Sequence, residues 1–436
     1  MLIGNLFQQL YSVVDMIIVG RYVSGNALAA VGVSMSLIMF ILGAIIGLTT
    51  GASVVISQFY GAKQYEKVKS TVSVSILVML GISVILTVLG FTLAPLLLRL
   101  LNTNQDIFND ALIYMRIGIA GVVFPVFYNM YMAYMRALGD SRRPLYFLIF
   151  STFLNIGLNL FFVLILNMGV AGVAIATIIA QMIAALMCFI YADRHMPLLK
   201  VRKLEFDIEL FRLILKYGIP PALQLSLVSL AQLTITRLIN SFGSAAMAGI
   251  TAAARIDQFA IMPVINLSAA LSTFVAQNMG AGLEERARKG LHIALIYMLL
   301  CSVFVSAVLI VFRYQFMSLF LSQTDVNTPE ILRIGSEYLN IIVMFYFLFS
   351  FLFAFNGFFR GAGDAVIAMV FPVFSLIIRA SSAYGLVGFF NMGPEALAWS
   401  IPIGWGLSSL ASIIYYKKRL WAGKVAVKLN PLYSKP

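Results

Sequence analysis

Twelve apolar runs follow one another along this chain, each closed by a polar, glycine or proline break. Their approximate limits are 1–20, 33–58, 71–98, 112–135, 145–166, 170–192, 217–240, 250–276, 291–320, 332–358, 366–390 and 396–416. A helix needs about 20 apolar residues to cross a hydrocarbon layer about 30 Å thick. Within that layer each segment must satisfy its own backbone donors and acceptors, which a helix does and an irregular segment does not. The expectation is an all-α integral membrane protein with twelve transmembrane helices. Composition supports it: 61% of residues are hydrophobic and 11% charged, where a soluble domain carries about 25% charged residues. So few charges cannot cover a water-facing surface. The chain opens directly into its first apolar run, without the basic segment and small-residue cleavage site of a signal peptide.

The net charge of +13 is distributed in a way that excludes a nucleic-acid-binding face. Of the 30 basic residues, 22 lie in one alternating set of connections and in the tail after the last run. These include Lys63, Lys67 and Lys69, then Arg136, Arg142 and Arg143, then the 193–216 connection. By the positive-inside rule that set is cytoplasmic, and so is the C-terminus. The opposite connections, such as Asn102–Asp110, are short and free of lysine. Cys188 and Cys301 sit inside apolar runs, where cysteine packs as a small core residue. His195 and His292 sit at or beside basic loops. No metal-ligand spacing and no clustered catalytic set emerges, so a membrane enzyme and a bound cofactor have no support.

The chain repeats itself. At a shift of 219, SQFYGAKQYEKVK (57–69) falls on AQNMGAGLEERAR (276–288), pairing Gln58 with Gln277, Gly61 with Gly280 and Glu66 with Glu285. At a shift of 224, RALGD (136–140) falls on RGAGD (360–364). Six spans per half is an even number, so both halves keep one orientation. The expectation is two six-helix bundles related by a pseudo-two-fold axis along the membrane normal, a plan used by secondary transporters. The alternative is a duplication retained in a channel or receptor. The predicted domains are an N-terminal lobe over 1–192, a cytoplasmic linker over 193–216, a C-terminal lobe over 217–416 and a basic tail over 417–436. Within the linker, EFDIELFRLILK (205–216) reads as an amphipathic surface helix. Trp421, just beyond the last run, reads as an interfacial anchor.

Ionisable groups inside spans are functional candidates because burying them is costly. Of 17 acidic residues, only Asp15 and Asp257 fall well inside apolar runs. Gln8, Tyr11 and Asp15 follow i, i+3, i+7 spacing and share one helix face. A carboxylate beside an amide and a phenol can hold or release a proton or a Na⁺ ion; the alternative is a structural Asp satisfied by nearby backbone. Asn155 and Asn159 share a face of the fifth span, where an interhelical hydrogen bond is the simpler reading. Asp257, near the start of the eighth run, either faces a cavity as a cation attractor or pairs with an arginine. The prolines in the spans, Pro125 among them, read as hinges or as tolerated kinks.

GNLFQQLYSVVDMIIVGRYV (4–23), ARIDQFAIMPVINLSAALSTFVAQNMGAG (254–282) and the paired RALGD and RGAGD resemble the multidrug and toxic compound extrusion (MATE) family, most closely its DinF-like bacterial branch. The likeness covers nearly the whole chain, and the segment around Asp257 is its most specific part. The resemblance implies a two-lobed twelve-helix transporter of a bacterial cytoplasmic membrane, exporting amphipathic, cationic or neutral compounds in exchange for H⁺ or Na⁺. One chain then holds both lobes, so a monomer suffices. The resemblance makes Asp15 the coupling residue, with Gln8 and Tyr11 beside it and Asn155, Asn159 and Thr177 in the same polar network. Family members often carry Asp at the position of Asn159, so Asp15 would here be the network's one carboxylate. The family's usual start precedes Met1, and at the 219 shift residues 205–219 have no counterpart in the first half. That keeps a truncated, inactive member as an alternative. A lipid-linked precursor flippase of the wider superfamily is the other, weakened by the scarcity of in-span arginines such as Arg255 and Arg379.

The orientation is testable by thiol labelling. In intact cells, cysteine introduced by Asp106→Cys should react with a membrane-impermeant maleimide. The product of Lys203→Cys should react only after permeabilisation; the opposite pattern would invert the topology.

Overall fold

A computed structural model describes residues 2–101, 103–318 and 328–427, and these contain helices and turns but no strand. The chain divides into two compact units, Met1–Ala222 and Leu223–Pro436. The first holds α1 (Leu2–Tyr22), α2 (Gly25–Gly61), α3 (Tyr65–Leu100), α4 (Gln105–Ala120), α5 (Val123–Ala137), α6 (Arg143–Leu160), α7 (Gly169–His195) and the first half of α8 (Ile208–Asn240). The second holds the rest of α8, then α9 (Ser244–Ala260), α10 (Met262–Gly280), α11 (Glu284–Ser318), α12 (Thr328–Met344), α13 (Tyr346–Gly361), α14 (Ala365–Phe390) and α15 (Glu395–Lys417). Among the described residues, nine helices are long and apolar enough to span singly, and two bent pairs can each be one span. With α1, the expected twelve are accounted for.

The bent pairs occupy equivalent places in the two halves. α4 and α5 meet at 49°, and α12 and α13 meet at 52°. In the first pair the break falls at Gly121 and Val122, just before Pro125, which cannot donate the helical hydrogen bond. The second pair bends without a proline, at Phe345.

The sequence repeat recurs as backbone geometry inside each unit. Lys63 (φ 57°) corresponds to Gly282 (φ 73°), Gly139 (φ 99°) to Gly363 (φ 93°), and Asn167 (φ 51°) to Asn391 (φ 51°). Left-handed conformations favour Gly and Asn and end helices sharply, so these turns preserve the duplicated helix lengths. A side-chain contact is duplicated with them. The Tyr191 hydroxyl donates to Asp140 Oδ2 at 3.3 Å, and its counterpart Tyr415 donates to Asp364 Oδ2 at 2.6 Å. Each loop carboxylate thereby ties the fourth-to-fifth-span turn of its half to that half's last helix.

Three elements differ from the sequence reading. The segment 205–216 is not a separate surface helix: from Ile208 it runs on as α8 to Asn240, with Ile214 and Tyr217 buried. The first unit extends to Ala222 because α8 approaches α2 at backbone distance. A Cβ on Gly47 would lie 2.3 Å from the Ala222 nitrogen, and one on Gly51 2.3 Å from the Gly218 nitrogen. Second, the eighth span begins at Ser244, after Gly243 (φ 89°), so Asp257 lies in the last turn of α9 beside a mid-span break and not near the span's start. Third, Trp421 is a core residue, 0% exposed. The chain after α15 folds back on the second unit, where Trp421 stacks on Tyr416 and meets Phe358 edge-on at 4.8 Å. Arg419 pairs with Glu284 at 2.6 Å and Lys424 with Asp364 at 2.8 Å. Burial alone would lower the Lys424 ammonium pKa, but hydrogen bonds to Asp364 and Tyr415 outweigh it and hold the group above its ordinary value. Residues 428–436 of the predicted basic tail lie outside the described residues.

Small residues let α13 close on α10. A Cβ on Gly361 would stand 2.4 Å from the Ser272 carbonyl oxygen and one on Gly357 2.5 Å from that of Ser268, as in close helix crossings within membranes. Gly361→Val should therefore lower the thermal midpoint sharply. Gly385→Val, on α14 with nothing within 4 Å of a Cβ, should leave it nearly unchanged. Trp421→Ala should cost about 3 kcal/mol or more, as other buried Trp truncations do. Thermal unfolding of purified protein measures all three.

Candidate functional site

The first unit gathers a polar site around α1. On that helix Asp15, Ile18 and Val19 are buried, while Met16 and Ile17 are exposed. The i, i+3, i+4 face carrying Asp15 therefore turns into the bundle, where α1 packs on α6. Asn155 and Asn159, one turn apart on α6, are both fully buried, and Asn159 points at it. Asn159 Nδ2 donates to Asp15 Oδ1 at 2.5 Å and to Asn155 Oδ1 at 3.0 Å. One amide with two hydrogens thus joins the carboxylate to the second amide.

Thr177 of α7 faces the same carboxylate without completing a hydrogen bond to it. The other carboxylate oxygen, Asp15 Oδ2, has no hydrogen-bond partner among the described residues, nor do Asn159 Oδ1, Thr177 Oγ1 and Gln181 Oε1. All four are shielded from solvent; the Thr177 hydroxyl can donate as well as accept, and the other three oxygens accept. The structure brings Asp15, Asn155, Asn159 and Thr177 together. Gln8 and Tyr11 lie on α1, but their side chains fall outside the described residues.

Three further residues join the site. Tyr114 of α4 is buried and lies within electrostatic reach of Asp15. Tyr114 and Thr177 also line a cavity of about 210 Å³, with Gln181 of α7, Asn129 of α5 and the apolar side chains of Met35 and Ile38 of α2. The cavity is mainly apolar with a few polar groups, the usual character of an organic-ligand pocket. Gln181 was open to discovery, since it follows Thr177 by one helical turn. A tyrosine in an apolar run carries no comparable signal, and Asn129 stands alone in its span.

Asp257 belongs to a separate cluster in the second unit. The Tyr346 hydroxyl donates to Asp257 Oδ1 at 2.7 Å. Arg379 of α14 acts on this carboxylate electrostatically and hydrogen-bonds Tyr338 of α12. Among the described residues Asp257 makes no ion pair, so the arginine of the second sequence reading acts on it only at a distance. The first unit's carboxylate is not duplicated here: the counterpart of Asp15 is Thr234, whose hydroxyl bonds its own helix at Leu230 O. Among the described residues, no three His, Cys, Asp or Glu side chains gather as a metal site would require.

Comparison with known proteins agrees with this architecture. The MatE family model matches the chain in two stretches, residues 1–161 and 220–384. The second begins where the 219-residue shift places Met1. The chain is 29% identical over 424 residues to the probable multidrug resistance protein YpnP of Bacillus subtilis (strain 168), covering 96% of this chain and 93% of that protein. It is 26% identical over 396 residues to the probable multidrug resistance protein NorM of Thermotoga maritima, covering 89% and 84%. A crystal structure of MATE in the bent conformation shares the fold, with a TM-score of 0.90 at 23% identity over 100% of this chain and 95% of that one. By family match, relatives and fold, this chain belongs to the MatE family, the multidrug and toxic compound extrusion transporters.

Proposed function

We propose that this protein exports amphipathic organic molecules, cationic or neutral, across a bacterial cytoplasmic membrane, C-terminus inside, by antiport with H⁺ or Na⁺. Asp15 is the coupling group. The observation that carries the proposal is a buried carboxylate with one oxygen held by Asn159 and the other unpartnered among further buried oxygens.

The chemistry follows from that donor inventory. An ionised carboxylate only accepts hydrogen bonds, so Asp15 Oδ2 can take one from the Thr177 hydroxyl but has nothing to give to Asn159 Oδ1. A proton on Oδ2 turns it into a donor that can bond one of these oxygens and removes a charge from the apolar bundle. A Na⁺ ion would compensate the same charge by recruiting the same oxygens, as hard cations do. Either event changes which bonds tie α1 to α6 and α7, and Tyr114 and Thr177 link that change to the cavity. Cation binding can then favour release of a molecule held by the first unit. Asp257 plays no coupling role in this scheme: it belongs to the other unit and is hydrogen-bonded by the Tyr346 hydroxyl. One chain carries both lobes, so the monomer is the functional unit.

Asp15→Asn, nearly isosteric and unable to ionise, should abolish gradient-driven uptake of a fluorescent cation into proteoliposomes while leaving dye binding in detergent largely intact. Normal gradient-driven transport by that variant would remove Asp15 from the mechanism. Imposing a pH gradient and a Na⁺ gradient separately on the native protein identifies the coupling ion. Asn159→Asp, which places a second carboxylate beside Asp15, should shift the pH dependence of transport without abolishing it.

A further inference from the structure

At the end of the first unit that carries the basic loops, the connection between α7 and α8 does not hang free. Ser73 of α3 fastens it, donating its hydroxyl to Glu205 O at 3.0 Å and accepting from Glu205 N at 2.8 Å. Between the fastened connection and α3 lies a cavity of about 450 Å³ rimmed by Lys69, Lys200, Arg202, Lys203, Glu66 and Glu205. Two of its cations are already paired, Lys69 with Glu66 of the same rim at 2.9 Å and Lys200 with Asp193 at 3.2 Å. Arg202 and Lys203 form no ion pair among the described residues, although Glu205 is beside them in the rim.

A second cavity of about 450 Å³ adjoins the first and has the opposite character. It is a groove between α3, α5 and α7, lined mainly by apolar side chains such as Leu80, Phe124, Phe127, Leu186 and Phe189. Val201 lines both cavities. The linker alternates between them: Leu199 and Leu204 border the groove, while Lys200, Arg202 and Lys203 border the polar cavity. Leu80, Leu186 and Phe189 are each more than 40% exposed, so the groove opens outward.

We propose that these two cavities together bind one anionic glycerophospholipid of the cytoplasmic leaflet. Its phosphate sits against Arg202 and Lys203, and an acyl chain lies along the α3–α5–α7 groove. A soluble phosphate has no use for the groove, and a zwitterionic lipid would set its ammonium against the two free cations. The cytoplasmic leaflet is the anionic one, and basic pockets beside spanning helices on that side recognise such headgroups. The linker is fastened to α3, so a lipid held there would hold the start of α8 to the first unit. This assignment does not depend on Asp15 or on the coupling ion.

The test is lipid retention by the full chain, purified in detergent and read by native mass spectrometry after exposure to dioleoyl phosphatidylglycerol or dioleoyl phosphatidylcholine. The native protein should retain phosphatidylglycerol about tenfold more tightly. Arg202→Gln with Lys203→Gln should bring the two lipids to parity. Leu186→Trp, which fills the groove and leaves every charge in place, should lower phosphatidylglycerol retention severalfold. Equal thermal unfolding of the variants in phosphatidylcholine alone would show that they fold. No preference in the native chain, or a preference that survives the charge substitutions, would overturn the proposal. So would a groove variant without effect, which would indicate a bare electrostatic patch, or displacement by equimolar glycerol 3-phosphate, which would indicate a soluble phosphate site.

Discussion

Hydrocarbon offers no hydrogen-bond partner, so every backbone amide and carbonyl in this chain's spans must find one within its own helix. That constraint fixes the secondary structure and also fixes what holds the helices together. Lipid tails are as apolar as leucine, so burying leucine between helices brings little that lipid contact does not. Association falls to close packing and to polar side chains. Both are visible: Gly357 and Gly361 let α13 reach the backbone of α10, and Asn159 ties α6 to α1 through Asp15. The same logic explains why the polar clusters are few and discrete. A carboxylate in such a bundle needs partners, and Asp15 and Asp257 have each been given a different set.

Those sets suit different work. Asp257 accepts a hydrogen bond from the Tyr346 phenol and feels the Arg379 charge from a distance. Asp15 is met by a neutral amide, with its other carboxylate oxygen unpartnered beside the Thr177 hydroxyl. A group so placed can respond to a cation, which is the property coupling requires. The two halves share turns and a Tyr–Asp tie at one end, yet they do not share this chemistry. Duplication preserved the scaffold, while the interior of each half diverged.

The relation between sequence and site is uneven. Asp15, Asn155 and Asn159 were legible because a charge or amide in an apolar run stands out and helical spacing assigns its face. Tyr114 and Asn129 were not, because the cavity they line is assembled from other helices, far away along the chain. Trp421 was read as an anchor because a tryptophan after a last span commonly sits at the interface. Its burial depends on a return of the chain made possible by Glu284 and Asp364, residues with no sequence proximity to it. Residues 205–216 likewise read as a surface helix, since amphipathicity cannot distinguish a water-facing boundary from the end of a span packed on α2.

The sequence by itself determined the all-helical spanning architecture, its duplication and the positions of its two in-span acids. Each of those depends on local quantities: hydropathy along one run, spacing within one helix, or identity at a fixed shift. Tertiary structure alone decided which oxygens surround Asp15, which phenol bonds Asp257, where α8 changes allegiance from one unit to the other, and how the linker came to lie between a basic cavity and an apolar groove. Those outcomes depend on approaches of a few ångströms between residues far apart in the chain, set by steric fit that one-dimensional patterns do not encode.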